Sequence, residues 1–345
     1  MKAVVKAEPK PGIVVREVPD PKLGVGDVLV EVRAAGICGS DIHMDEWVGQ
    51  GYDWMHLPLI MGHEFAGRVV EIDKNVRDVQ INDRVSVTPH IYCGTCHFCK
   101  AGRFNLCLNR ALKIGFTRDG GFAEYISVPA ECTYKLPSNV SYEMGAIVEP
   151  FCVALHGIEV ARPEPGDVVA ILGAGPIGLL AVQISRIVGA NIIMIIGLGR
   201  DEERLTVAKE FGAVEAVNAQ KDDPITVAKN LTHGLGVNIV YELSGSPAAF
   251  KQGLKMLRRG GRMVLIGLSM GVGELAPISD AVRAEIVLQG SFNYVPTTWE
   301  RAMKLLEREK IDLKRLITHQ LPLQKATEGF ELARSGKAIK VLLIP

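Results

Sequence analysis

The chain has 345 residues, 48% of them hydrophobic, with 39 Lys+Arg balanced by 39 Asp+Glu and a mean hydropathy of +0.17. That length points to two domains, each with enough apolar surface for its own core. A formal charge of zero excludes the global field that would draw in nucleic acid or an anionic membrane, which leaves a small molecule as the expected partner.

The opening stretch MKAVVKAEPKPGIVV is broken by Lys, Glu and Pro, so no signal-peptide core is expected. The longest apolar stretches, VVAILGAGPIGLLAV and NIIMIIGLG, are too short or too interrupted by glycine to span ~30 Å of hydrocarbon. A soluble protein of the reducing cytoplasm is the expectation, one in which clustered thiols bind metal more often than they pair.

The first chemical motif is AAGICGSDIH, with Cys38, Ser40, Asp41 and His43, followed by MGHEFAGRVVEI, with His63 and Glu64. One Cys, one His and one carboxylate make three protein ligands and leave a fourth position open, as a catalytic zinc requires. Glu149 in AIVEPFCVALHG is a candidate to complete or exchange into that set. Each residue also has a plainer use: Cys38 as a small buried hydrophobe, His63 as a satisfied core histidine, Glu149 as a helix cap before Pro150.

Next comes CGTCHFCKAGRFNLC, which sets Cys93, Cys96, Cys99 and Cys107 in a C-x2-C-x2-C-x7-C spacing, with Gly94 and Gly102 allowing sharp turns. Four thiolates suit a closed structural zinc site. An iron–sulfur cluster is the main competitor. Either way such a site has no place for substrate, so it stiffens a lobe. Cys132 and Cys152 are expected to be buried thiols.

From about residue 155 the texture becomes β-α-β. VVAIL reads as a parallel strand, GAGPIG is G-x-G-x-x-G through Gly173, Gly175 and Gly178, and Pro176 with Ile177 opens an amphipathic helix leading to a second strand, NIIMII. In that context the glycines form a Rossmann turn that lets a pyrophosphate approach the helix N-terminus. The second strand should end on an acid that holds the ribose, but IIGLGRDEERL places glycine there, followed by Arg200. Loss of the carboxylate removes repulsion against a 2′-phosphate and Arg200 can pair with it, which favours NADP over NAD. Asp201 swinging back to the ribose is the alternative. GAVEAVNA, VNIVYELSG and GGRMVLIGL continue a doubly wound sheet, and from GSFNYVPTTWERAMKLL the chain returns to its first lobe.

Taken in order, GICGSDIH, GHEFAG, the cysteine cluster and the glycine-rich turn resemble the zinc-dependent medium-chain alcohol dehydrogenase family over nearly the whole chain. The resemblance implies an α/β protein: a GroES-like β-rich catalytic domain over residues 1–154 and 292–345, and a Rossmann domain over residues 155–291. It implies two Zn2+ per chain and transfer of a hydride between NAD(P) and a secondary alcohol. Cys38, His63, Glu64 and Glu149 then serve the catalytic zinc, directly or through water. Ser40 and His43 match proton-relay positions, and Asp41 orients a ligand histidine. Ser244, Gly245, Ile266 and Gly267 match positions around the nicotinamide. A homodimer or homotetramer is also implied.

CGSDIH and the Glu149–Pro150 pair look most like the polyol (sorbitol-type) and threonine dehydrogenase branches. His90 and the loop with Trp47, Tyr52, Trp54 and His56 resemble the threonine branch, although the aromatics could equally be lobe packing. Asn293 stands where the polyol branch often has arginine. A polyol or sugar derivative is the expected substrate, with L-threonine as the alternative. A non-catalytic nucleotide-binding protein on the same fold would not need Cys38, His63, Glu64 and Glu149.

Overall fold

DVLVEVRAAG alternates apolar and polar residues, and the computed structural model, which describes residues 1–47, 55–109, 113–268 and 278–345, makes it the strand Asp27–Gly36. Val28, Val30 and Val32 enter a core with Phe65, Val85 and Phe122, as a period of two requires. The strand pairs antiparallel with Glu64–Ile72, with Tyr125–Pro129 and with the C-terminal strand Lys340–Ile344. Arg84–Val87 and Thr133–Lys135 extend the sheet on one side and Ile317–Pro322 on the other, giving seven strands among the described residues. A smaller sheet sets Lys2–Lys6 between Val14–Glu17 and Leu59–Ile60. Both belong to one compact unit, residues 1–150 with 295–345.

The other unit covers residues 151–294. Its six strands are all parallel, in the spatial order Glu215–Asn218, Ile192–Gly197, Val168–Leu172, Val237–Glu242, Leu257–Leu265, Val287–Gly290. Numbered along the chain this is 3-2-1-4-5-6, the doubly wound dinucleotide order, with its switch point between Val168–Leu172 and Val237–Glu242. Val169, Ala170 and Ile171 are completely buried, as expected of a central strand apolar on both faces. Among the described residues no helix is long and apolar enough to cross a membrane.

Candidate active site and metal centres

Cys38 stands in extended backbone at the N-cap of helix Gly39–Glu46, and Asp41 returns a carboxylate oxygen to its N–H at 2.9 Å. The other oxygen of Asp41 lies 3.4 Å from Nδ1 of His63. One fully buried carboxylate therefore fixes the backbone under Cys38 and the ring of His63 together. With Nδ1 facing Asp41, Nε2 is the nitrogen left for a metal, and Ser40 Oγ stands 3.4 Å from it. The turn carrying His63 depends on Gly62, whose φ is +94° and whose Cβ would come within 2.5 Å of the Phe122 ring. Phe116, not singled out from the sequence, closes over His63 with ring centroids 4.7 Å apart.

Glu64 opens its strand directly opposite Gly36. A Cβ at Gly36 would lie 2.5 Å from Glu64 Oε2 and 3.0 Å from Lys340 Cε, so the missing side chain makes room for an ion pair between them. Lys340 also donates to the Ile37 carbonyl at 2.9 Å. Burial drives the Glu64 carboxyl above its ordinary pKa despite Lys340. Burial opposes charge on Lys340 as well, but Glu64 and Cys38 outweigh it and raise its pKa.

The ligand atoms of Cys38, His63 and Glu64 lie within 4.8 Å of one another. Glu149 is buried outside that trio, and its charge contributes to raising Glu64. Burial opposes protonation of His63, yet Asp41 and Cys38 hold its pKa well above the ordinary imidazole value. This much negative potential in a buried place suits a cation, and the donor set of one thiol, one imidazole and one carboxylate fits zinc. Breaking a buried ion pair typically costs about 3–5 kcal/mol. Lys340→Met should therefore lower the urea-unfolding midpoint markedly, and adding Glu64→Gln should recover most of the loss.

The remaining candidates in this unit fall in several places. His43 has a buried Nδ1 with no hydrogen bond among the described residues. Trp47 ends helix Gly39–Glu46 in the left-handed region, with Lys6 Nζ 5.3 Å from its ring centroid, and packs against the core of this unit. Tyr52 and Trp54 lie outside the described residues, and His56 is exposed. His90 is buried, with its ring stacked on Tyr92 at 6.0 Å. Its neighbour Pro89 accepts from Ile114 at 3.0 Å, which ties this segment to the loop bearing Phe116.

Cys93, Cys96, Cys99 and Cys107 also bring their sulfurs within 4.8 Å of one another, with Cys93 3.5 Å from Cys107 and 4.0 Å from Cys99. Tetrahedral zinc with Zn–S bonds of about 2.3 Å sets sulfurs about 3.8 Å apart, whereas a multi-iron cluster needs wider spacing. A single ion fits. The backbone N–H groups of Thr95 and Cys96 bring the Cys93 thiol down to about 5, readying a thiolate, while burial pushes Cys99 up to about 12. Cys132 and Cys152 are both buried thiols.

In the second unit Gly173 adopts φ +113°, and Gly175 caps helix Pro176–Ile187, with Pro176 in its first turn and Ile177 next. A Cβ at Gly178 would stand 2.0 Å from the Gly173 carbonyl oxygen. Gly178→Ala should therefore force the turn open and weaken dinucleotide binding by about tenfold or more, read by nucleotide titration. Across the switch point a Cβ at Gly173 would lie 3.2 Å from Ser244 N, and one at Gly267 2.4 Å from Gly245 N, so these backbones meet closely. Glu242, missed in the sequence, organises them: it accepts from Ser244 N at 2.9 Å and Gly245 N at 3.1 Å. Ile266 packs on Gly157. Asn293 has φ +51°, a conformation asparagine tolerates, which accounts for it as a turn residue. Arg200 is exposed, whereas Asp201 is buried, accepts from Leu198 N at 3.0 Å and pairs with Arg204 at 2.9 Å. Asp201 is thus committed to the loop itself.

A doubly wound dinucleotide sheet carried in one chain with a metal-suited Cys–His–Glu trio defines a metal-dependent oxidoreductase. Residues 24–138 match the alcohol dehydrogenase GroES-like domain, and residues 176–308 match the zinc-binding dehydrogenase domain. The chain belongs to the zinc-dependent medium-chain alcohol dehydrogenase family and is an NAD(P)-dependent oxidoreductase of that type. L-threonine 3-dehydrogenase of Bacillus velezensis is 38% identical over 100% of this chain and 99% of its own length. Sorbitol dehydrogenase of Halalkalibacterium halodurans is 37% identical over the same shares. A zinc-binding dehydrogenase from Sinorhizobium meliloti, solved with NADP, superposes with a TM-score of 0.91 at 34% identity, covering 100% of this chain and 99% of its own.

Proposed function

We propose that the protein oxidises a secondary alcohol with a polar substituent on the neighbouring carbon, a polyol or sugar derivative, using NADP. The trio Cys38, His63 and Glu64, oriented by Asp41, carries this reading. Zinc held there supplies Lewis acidity that brings the pKa of an alcohol oxygen toward neutrality. Ser40, beside His63 Nε2, takes the alcohol proton, and His43, one helical turn along, passes it outward. Asp41 keeps the His63 ring turned so that Nε2 remains the nitrogen available to the zinc, and Glu149 completes or exchanges into the ligand set. NADP, held at the turn of Gly173, Gly175 and Gly178, would supply the hydride acceptor. Gly197 and Gly199 in place of an acid, Arg200, and the NADP-bound relative support that cofactor.

The second zinc belongs to the four-cysteine group, for two per chain. Exposed Val287 and Leu288, at 50% and 46%, on the edge strand Val287–Gly290 support a homodimer or homotetramer. A cytoplasmic setting agrees with seven cysteines that form no disulfide among the described residues.

L-threonine is the second reading, favoured by the threonine dehydrogenase relatives and the burial of His90. Steady-state oxidation of polyols, sugar phosphates, simple secondary alcohols and L-threonine, each with NADP and with NAD, decides between them. Polyol turnover with NADP is the expected result. Threonine turnover with NAD would replace the first reading with the second.

A further inference from the structure

Strands Ile192–Gly197 and Glu215–Asn218 pair with Gly197 opposite Asn218, so their ends lie side by side. Just beyond, Gly199 N donates to Gln220 Oε1 at 2.8 Å, and Gln220 N donates to Asn218 Oδ1 at 3.0 Å. Asn218 thus has its acceptor engaged. Its Nδ2 is buried, with Asn218 only 7% exposed, and has no hydrogen-bond partner among the described residues. A buried amide donor without an acceptor is destabilising, and its retention points to a ligand that satisfies it.

The position of Gly199 indicates which ligand. A Cβ there would lie 2.7 Å from Gln220 Oε1 and 3.8 Å from Asn218 Nδ2, so where a dinucleotide site of the NAD type carries a carboxylate, this chain has Gln220 packed against a bare backbone and a free amide donor next to it. Neighbouring acids are engaged elsewhere: Asp201 with Leu198 N and Arg204, and Glu202 with Lys221 at 2.5 Å. Arg200 is exposed on the same loop.

We infer that Asn218 is a specificity-determining donor to the 2′-phosphate of NADP, acting with Arg200 beside Gly199, where no carboxylate competes. This rests on the NADP reading above. Phosphate oxygens accept from both residues and carry the charge that Arg200 matches, whereas a 2′-hydroxyl has neither the acceptor number nor the charge.

Asn218→Asp is the test, because it keeps the oxygen that accepts from Gln220 N and converts only the free donor into an acceptor. Dissociation constants are measured by calorimetric titration of the zinc-loaded enzyme with NADPH, NADH and 2′,5′-ADP. Wild type is expected to bind NADPH at least about tenfold more tightly than NADH. Asn218→Asp should lose about tenfold or more for NADPH and 2′,5′-ADP while NADH changes by less than about twofold. Should that variant prove unstable, Asn218→Ser retains an acceptor and removes Nδ2 for the same comparison. If wild type binds NADH as tightly as NADPH, the NADP reading and this inference fall together. If wild type prefers NADPH and the variant keeps that preference, the NADP reading stands and the role of Asn218 is overturned.

Discussion

Cys38→Ser is expected to abolish alcohol oxidation while leaving the fold intact and one zinc per chain bound. Cys38 is half-buried at the head of helix Gly39–Glu46, where serine is a favourable N-cap residue, and the Asp41 bond goes to its backbone, which the substitution spares. What is lost is the thiolate. Polarisation of the alcohol oxygen contributes several kcal/mol, and each 1.36 kcal/mol is tenfold in rate, so turnover should fall by about 10^3-fold or more. Three measurements check it together: zinc per chain by mass spectrometry, thermal midpoint, and initial rate on the best substrate. A variant that kept near wild-type turnover would remove Cys38 from the site.

Cys96→Ser should behave in the opposite way, losing stability before activity. The segment from Cys93 to Cys107 holds only a one-turn helix, His97–Lys100, and a short 3-10 turn, Phe104–Leu106. Of its side chains, only those of Cys99, Asn105 and Cys107 are buried. With so little apolar burial, a bound ion is the main source of local order. Structural zinc contributes about 10–16 kcal/mol to folding of small zinc peptides. Losing even about 3 kcal/mol would lower the thermal midpoint by roughly 6–12 °C for a domain of about 150–250 residues. Turnover per folded molecule, measured well below that midpoint, should remain. An unchanged midpoint with turnover lost would exchange the assignments of the two metal groups.

Much of this was legible in the sequence because the informative constraints are local. The cysteine spacing, the GICGSDIH motif with Cys38 and Asp41, and the G-x-G-x-x-G turn each act within fifteen residues or fewer. The parallel strands were legible from their apolar runs. Long-range register was not. Lys340 meets Glu64 only because the C-terminal strand joins Asp27–Gly36 beside Glu64–Ile72, and nothing near Lys340 in the chain announces that partner. Gly36 passed as one small residue in AAG, although it is the space in which the pair forms. Phe116 was missed for the same reason, since its contact with His63 depends on how its loop returns, whereas Glu242 acts on residues only two and three along the chain, Ser244 and Gly245, and no motif marked it. For Asp201 the sequence offered a swing back to the ribose as an alternative, and its contacts with Leu198 N and Arg204 depend on a loop geometry no motif announces.

Hydride transfer that depends on the zinc trio is the central claim, and deuterium tracing tests it most directly. A polyol carrying deuterium at its secondary carbinol carbon is incubated with NADP and the zinc-loaded enzyme, and the nicotinamide product is analysed by mass spectrometry. The account predicts one deuterium per NADPH formed, with no transfer by Cys38→Ser. Transfer that persisted undiminished in Cys38→Ser, or NADPH formed without deuterium, would contradict it.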